Sequence, residues 1–168
     1  MQKILYIDMD GVLVHFDSAF KHFSADTLRK YKGKEDEIPG IFGCMDPMPG
    51  AVDAYQELSQ LFDTYVLSTA PWENPSAWSE KLLWVQRHLG AAAYKRLILT
   101  HHKDLNRGDF LIDNRPNNGA DLFAGTFILF GKDPFSDWPS VLEYLRARAD
   151  PPPSAVQRVE TPGLDTPS

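Results

Sequence analysis

The chain alternates between brief apolar runs and longer stretches in which apolar residues recur every three or four positions. Ile4–Ile7, Thr64–Leu67, Arg96–Leu99, Phe110–Ile112 and Thr126–Phe130 are the brief runs. Continuous apolar segments of this length are expected of strands covered on both faces in a parallel sheet. Between them, Ala51–Phe62 carries Val52, Tyr55, Leu58, Leu61 and Phe62 at helical spacing, with Pro49 near its first turn. Ser76–Leu89 places Trp78, Leu82, Val85 and Leu89 on one side; Asn74 is predicted to cap it, Pro75 to open it and Gly90 to end it. Trp138–Ala149 predicts a last helix behind Asp137. Strands alternating with helices predict an α/β domain over residues 1–149, with a doubly wound, Rossmann-like parallel sheet.

Two stretches break the alternation. Residues 17–48 separate the first strand from the next strand–helix unit. They hold one predicted helix, Ser18 to about Tyr31, then the charged turn KGKEDE and the irregular IPGIFGCMDPMPG. This insertion is expected to form a small helical cap. The tail 150–168 has three consecutive prolines and few large apolar residues. It cannot bury enough surface to offset ordering entropy and is expected to be disordered.

Composition narrows the partners. The 168 residues suit one domain with a proper core, and 24% charged residues place it among soluble globular proteins. A net charge of -6 argues against binding a nucleic-acid polymer, which needs a basic surface. It leaves room for a small phosphorylated ligand at a locally positive site. The single cysteine, Cys44, excludes an internal disulfide. No apolar run approaches the roughly 18 residues of a membrane span, so no membrane partner is expected. The N-terminus enters a strand without a signal-peptide pattern, and the chain is read as cytoplasmic. The oligomeric state stays open, a homodimer included.

The candidate chemistry lies where strands end. Ligands of open α/β sheets bind beyond the carboxyl ends of the strands. Asp8 ends the first run, Asp10 follows one residue later, and Gly11 allows a sharp exit. A calcium loop is excluded, because its glycine comes sixth and further oxygen ligands follow, whereas here Gly11 comes fourth and Val12-Leu13-Val14 follow. Ser68 and Thr69 end "TYVLST", Lys103 follows "LILTHH" and Asp113 ends "FLID". Each alone reads as a turn or loop residue. Their joint occurrence at one sheet edge is much harder to attribute to accident.

With those four segments in view, the chain resembles the haloacid dehalogenase superfamily, through "DMDGVL", "VLST", the lysine after "ILTHH" and "LIDNRP". More narrowly it resembles the 5'(3')-deoxyribonucleotidases, whose wording and order "DMDGVLVHF", "DPMPGAVDAYQEL", "ILTHHK" and "LIDNRP" follow. The resemblance implies Asp8 as the nucleophile that forms an aspartyl phosphate. It implies Mg²⁺ as cofactor, held by the Asp8 carboxylate, the Asp10 main-chain carbonyl and Asp113. Lys103 would neutralise nucleophile and phosphate, and the Ser68 and Thr69 hydroxyls would bind phosphate oxygens. Asp10 would protonate the leaving alkoxide and then activate water. A dehalogenase expels halide, which needs no proton, so Asp10 favours a phosphatase.

The resemblance also has departures. Asp113-Asn114 stands where the family often has two acids, and His101 stands where it has a basic residue two before the lysine. The insertion is shorter than in better-known members. The expected substrate is a nucleotide, because Phe16 and Phe42 match positions at which the family packs aromatics on the base; Trp72 joins them by its position after Thr69. Two alternatives stay open: a phosphatase for another small phosphomonoester such as a sugar phosphate, and a phosphoacceptor signalling module. The module is disfavoured by the order of the acids along the chain.

Overall fold

The computed structural model describes residues 2–151. The expectation of disorder for the tail thus lies, from residue 152 on, outside the described residues. Five parallel strands form the central sheet: β1 (Ile4–Ile7), β4 (Asp63–Ser68), β5 (Leu97–Leu99), β6 (Phe110–Asp113) and β7 (Thr126–Leu129). Their spatial order is β5-β4-β1-β6-β7. The chain winds outward from β1 through β4 to β5, then returns to the other side of β1 for β6. Such a reversal opens a crevice at the carboxyl ends of the central strands.

Helices α2 (Ala51–Leu61), α3 (Ser76–His88) and α4 (Trp138–Arg146) connect or follow the strands. All three feed one core cluster, in which Ala54, Leu58, Trp84, Val85, Val141 and Leu145 meet Leu5, Ile7, Val66, Ile112 and Ile128. Tyr6, Leu67 and Leu111 alternate onto the opposite sheet face and pack with Ala120 and Phe123, as successive side chains of a strand must. That face is closed by the 3₁₀ turn Ala120–Leu122.

The expected face of α3 is corrected. Trp78 and Leu82 are exposed; the buried stripe is Ala77, Lys81, Trp84 and Val85. The observed stripe is turned by one position from the predicted one and includes Lys81, which an apolar pattern does not register. Asn74 does not cap α3 either. The last helix stops at Arg146, three residues before the expected Ala149.

The insertion leaves and rejoins the core through a two-stranded antiparallel ribbon, β2 (Val14–His15) with β3 (Asp46–Pro47). The single helix expected from Ser18 to Tyr31 is split into a 3₁₀ helix, Phe16–His22, and α1 (Ala25–Lys30). Ser24 starts α1 afresh, its hydroxyl accepting the Thr27 N–H at 3.1 Å. The break lets Phe16, Phe20 and Phe23 all pack against the main core. Ile38, Ile41 and Phe42 are buried in that same core, so the insertion has no separate hydrophobic centre.

Candidate active site

The turn after β1 is built on one carbonyl. Met9 O accepts the N–H groups of Val12, Leu13 and Val14 at 2.8–3.0 Å, while Asp8 N is tied to Ile112 O at 2.9 Å. Gly11 adopts φ +76°, and a Cβ there would lie 2.1 Å from Asn114 Nδ2. Glycine is therefore required twice, by the backbone and by the side chain packed over it. The tight turn leaves the Asp8 and Asp10 side chains at the cavity, while Met9 is buried in the core.

Asp113 ends β6, beside β1, and Lys103 opens a 3₁₀ turn (Lys103–Leu105) beyond β5. The Lys103 ammonium lies 3.0 Å from Asp8 Oδ1 and 2.5 Å from Asp113 Oδ2. Arg115 N donates to the other Asp113 oxygen at 3.0 Å. The structure thus brings together Asp8, Asp10, Lys103 and Asp113 on the wall of one cavity of about 720 Å³.

Lys81 is the functional residue that sequence reasoning missed. Its side chain is 0% exposed, and Nζ lies 2.8 Å from Asp10 Oδ2. Nζ also donates to Ser68 Oγ at 3.0 Å and sits 4.6 Å from the centre of the Phe42 ring. A lysine is almost never buried without a partner. The signal was its place on the stripe of α3 between Ala77 and Trp84.

This changes the reading of Ser68. Ser68 ends β4 but is fully buried, accepts from Lys81 and does not line the cavity. Its hydroxyl is engaged by Lys81. Thr69 does line the cavity; its hydroxyl donates to Thr100 O at 2.8 Å. Phe16, Phe42 and Trp72 all line the cavity. Phe42 is also core, edge-on to Phe16 with ring centres 5.9 Å apart. Trp72 is 77% exposed at the mouth, its ring 6.0 Å from that of His101.

The charges do not balance. Asp8, Asp10 and Asp113 contact the ammonium groups of Lys81 and Lys103, and although Arg115 adds a third cation, Glu35, Asp36, Glu37 and Glu73 add four further acids to the wall. Burial pushes the Asp113 carboxyl up to about 6; the Asp8 carboxylate adds to the push and Lys103 opposes it. Burial also raises Asp10, with Lys81 pulling it back and Asp8 adding to the rise. Burial disfavours the charge of Lys103, but Asp8 and Asp113 outweigh it and hold the ammonium above the usual lysine range.

This excess of negative charge fits a cation. Two buried oxygens, Asp10 Oδ1 and Asn114 Oδ1, have no hydrogen-bond partner. No group of three His, Cys, Asp or Glu side chains suited to a metal occurs among the described residues.

Comparison with known proteins follows the same line. The family described as "5' nucleotidase, deoxy (Pyrimidine), cytosolic type C protein" matches residues 25–137. A "Putative 5'(3')-deoxyribonucleotidase" of Vibrio phage KVP40 is 56% identical over 144 residues, covering 86% of this chain and 85% of its own. The chain belongs to the 5'(3')-deoxyribonucleotidase family. It is thereby a member of a family of phosphoric monoester hydrolases of the haloacid dehalogenase type. Human "5'(3')-deoxyribonucleotidase, cytosolic type" is 32% identical over 138 residues, covering 65% of this chain and 69% of the human one. A Bordetella pertussis relative, also named "Putative 5'(3')-deoxyribonucleotidase", is 36% identical, covering 67% of this chain and 74% of its own. No helix among the described residues is long and apolar enough to cross a membrane.

Proposed function

We propose that the chain is a Mg²⁺-dependent 5'(3')-deoxyribonucleotidase that works through an aspartyl phosphate at Asp8. The observation that carries this reading is the set of three carboxylate–ammonium contacts at one cavity, Lys103 with Asp8 and Asp113 and Lys81 with Asp10. Asp8 attacks phosphorus in line with the leaving oxygen. Lys103, already in contact with Asp8, offsets the charge of nucleophile and phosphate as they approach. Asp10, whose pKa burial raises while Lys81 pulls it back, delivers a proton to the leaving alkoxide. It then takes one from the water that releases phosphate. Lys81 holds the Asp10 carboxyl in place. Asp8, Asp113, the Asp10 carbonyl and Asn114 Oδ1 are the oxygens that would hold Mg²⁺, which when bound neutralises phosphate charge.

Phe16 and Trp72, with the buried edge of Phe42, supply flat surface for a base. Stacking on such residues contributes roughly 1–3 kcal/mol per base, enough to favour a nucleotide over a sugar phosphate by about tenfold or more. The proposed setting is the cytosol, the one named for the human relative. The test is kcat/KM with Mg²⁺ for dUMP and dTMP against ribose 5-phosphate and glucose 6-phosphate. The nucleotides are expected to be preferred. Equal or better turnover of the sugar phosphates would replace the nucleotide reading with that of a general small-molecule phosphatase.

A further inference from the structure

We infer that Asn74 is a positioning residue that ties the insertion to the loop after β4 and so sets the shape of the substrate cavity. Asn74 is 1% exposed. Its side-chain amide donates to Asp36 O at 2.8 Å and to Ile38 O at 3.1 Å. Its own oxygen accepts from Ser76 Oγ at 2.7 Å, and that hydroxyl in turn accepts the Gly40 N–H at 3.3 Å. Both amide donors thus cross the gap between the two chain segments, and the amide oxygen orients the Ser76 hydroxyl that makes the third crossing.

Those two segments both line the same cavity. Asp36 and Glu37 line it from the insertion; Pro71, Trp72 and Glu73 line it from the loop that Asn74 closes. Asn74 itself is not part of the lining. The predicted helix cap is therefore a cross-brace. Moving the insertion away from the loop would leave the carbonyls of Asp36 and Ile38 and the Asn74 amide unpaired, a cost that favours one fixed spacing. Farther along α3, Glu80 accepts from Phe42 N at 3.1 Å and Trp84 Nε1 donates to Met45 O at 2.9 Å. The brace at Asn74 adjoins Glu73 and Asp36 of the cavity lining. The insertion is held ready for the distal part of the substrate and need not be ordered on binding, which lowers the entropy cost of association.

This inference rests on the proposed reading of the cavity as a nucleotide site. It predicts that Asn74 acts only on substrates long enough to reach both segments. The experiment compares wild type, Asn74→Ala and Asn74→Asp, the last keeping the shape but losing both donors. Steady-state rates with Mg²⁺ are measured for dUMP and for glycerol 2-phosphate, which does not span the cavity. Amide exchange across residues 33–42 is followed by mass spectrometry. Both variants are expected to lose about tenfold in kcat/KM for dUMP, chiefly through KM, with glycerol 2-phosphate changed less than about twofold. Exchange at residues 33–42 should accelerate. Equal losses for both substrates would make Asn74 a merely structural residue. Unchanged dUMP kinetics or unchanged exchange would overturn the brace itself. Wild-type enzyme with no preference for dUMP over sugar phosphates would instead fail the nucleotide reading; the exchange measurement still decides the brace.

Discussion

Replacing Lys81 by Met tests whether the buried ammonium and Asp10 form a dependent pair. At 2.8 Å and an effective dielectric constant of about 20, their attraction is ~6 kcal/mol before desolvation is subtracted. The true penalty of Lys81→Met is smaller, because Asp10 can take a proton when its partner is gone. From its ordinary 3.8, neutralising Asp10 at pH 7 costs about 4 kcal/mol at ~1.4 kcal/mol per pH unit. Burial already raises it, so the escape is easier still. Removing the costly burial of Lys81 gives something back. The expected loss is about 2–3 kcal/mol at pH 7, which Asp10→Asn in the same chain should largely relieve.

The pH dependence has a definite sign. Without Lys81, the folded-state pKa of Asp10 rises further above its unfolded value. A raised carboxyl binds its proton more tightly in the folded state, so stability grows as pH falls through that value. The Lys81→Met penalty should therefore shrink by about 1 kcal/mol or more between pH 7 and pH 5. The assay is urea unfolding of wild type, both single variants and the double variant, without divalent cation. A coupling below about 0.5 kcal/mol, or a penalty that grows on acidification, would refute the pair.

Other expectations follow from the same geometry. Asp8→Asn should abolish turnover while the protein stays folded, and retention of more than a few per cent of wild-type activity would remove Asp8 as nucleophile. Asp113→Asn should raise the melting temperature of the cation-free protein at pH 7, since its carboxyl is held up to about 6 and pays for ionisation there; a lower melting temperature would contradict the charge imbalance at the site. Ser68→Ala should cost less activity than Thr69→Ala, because Ser68 faces Lys81 and Thr69 faces the cavity; the reverse order in kcat/KM would reinstate Ser68 at the phosphate.

The sheet and the acidic strand ends were legible because both are local signals. Apolar runs mark β1, β4 and β6, and Asp8 and Asp113 stand at or just past their ends. Lys81 was hidden because its meaning is tertiary: a lysine on a helix is ordinarily solvated, and only the partner 71 residues earlier makes burial tolerable. Asn74 misled for a related reason. Asn before Pro at a helix start is a capping pattern, yet its oxygen accepts from the Ser76 hydroxyl in place of a helix N–H, and its donors go to the long-range carbonyls of Asp36 and Ile38. The helix expected in the insertion was split by Ser24, whose capping hydrogen bond outweighs continuous helical spacing.

The central claim is that Asp8 carries the phosphoryl group. Enzyme turning over dUMP with Mg²⁺ would be quenched within the first turnovers and treated with borohydride, which reduces an acyl phosphate to an alcohol. Peptide mass spectrometry would then read residue 8. The account predicts homoserine at position 8, and none in the absence of substrate. Active enzyme that yields unmodified Asp8, or reduction at another carboxylate, would contradict it.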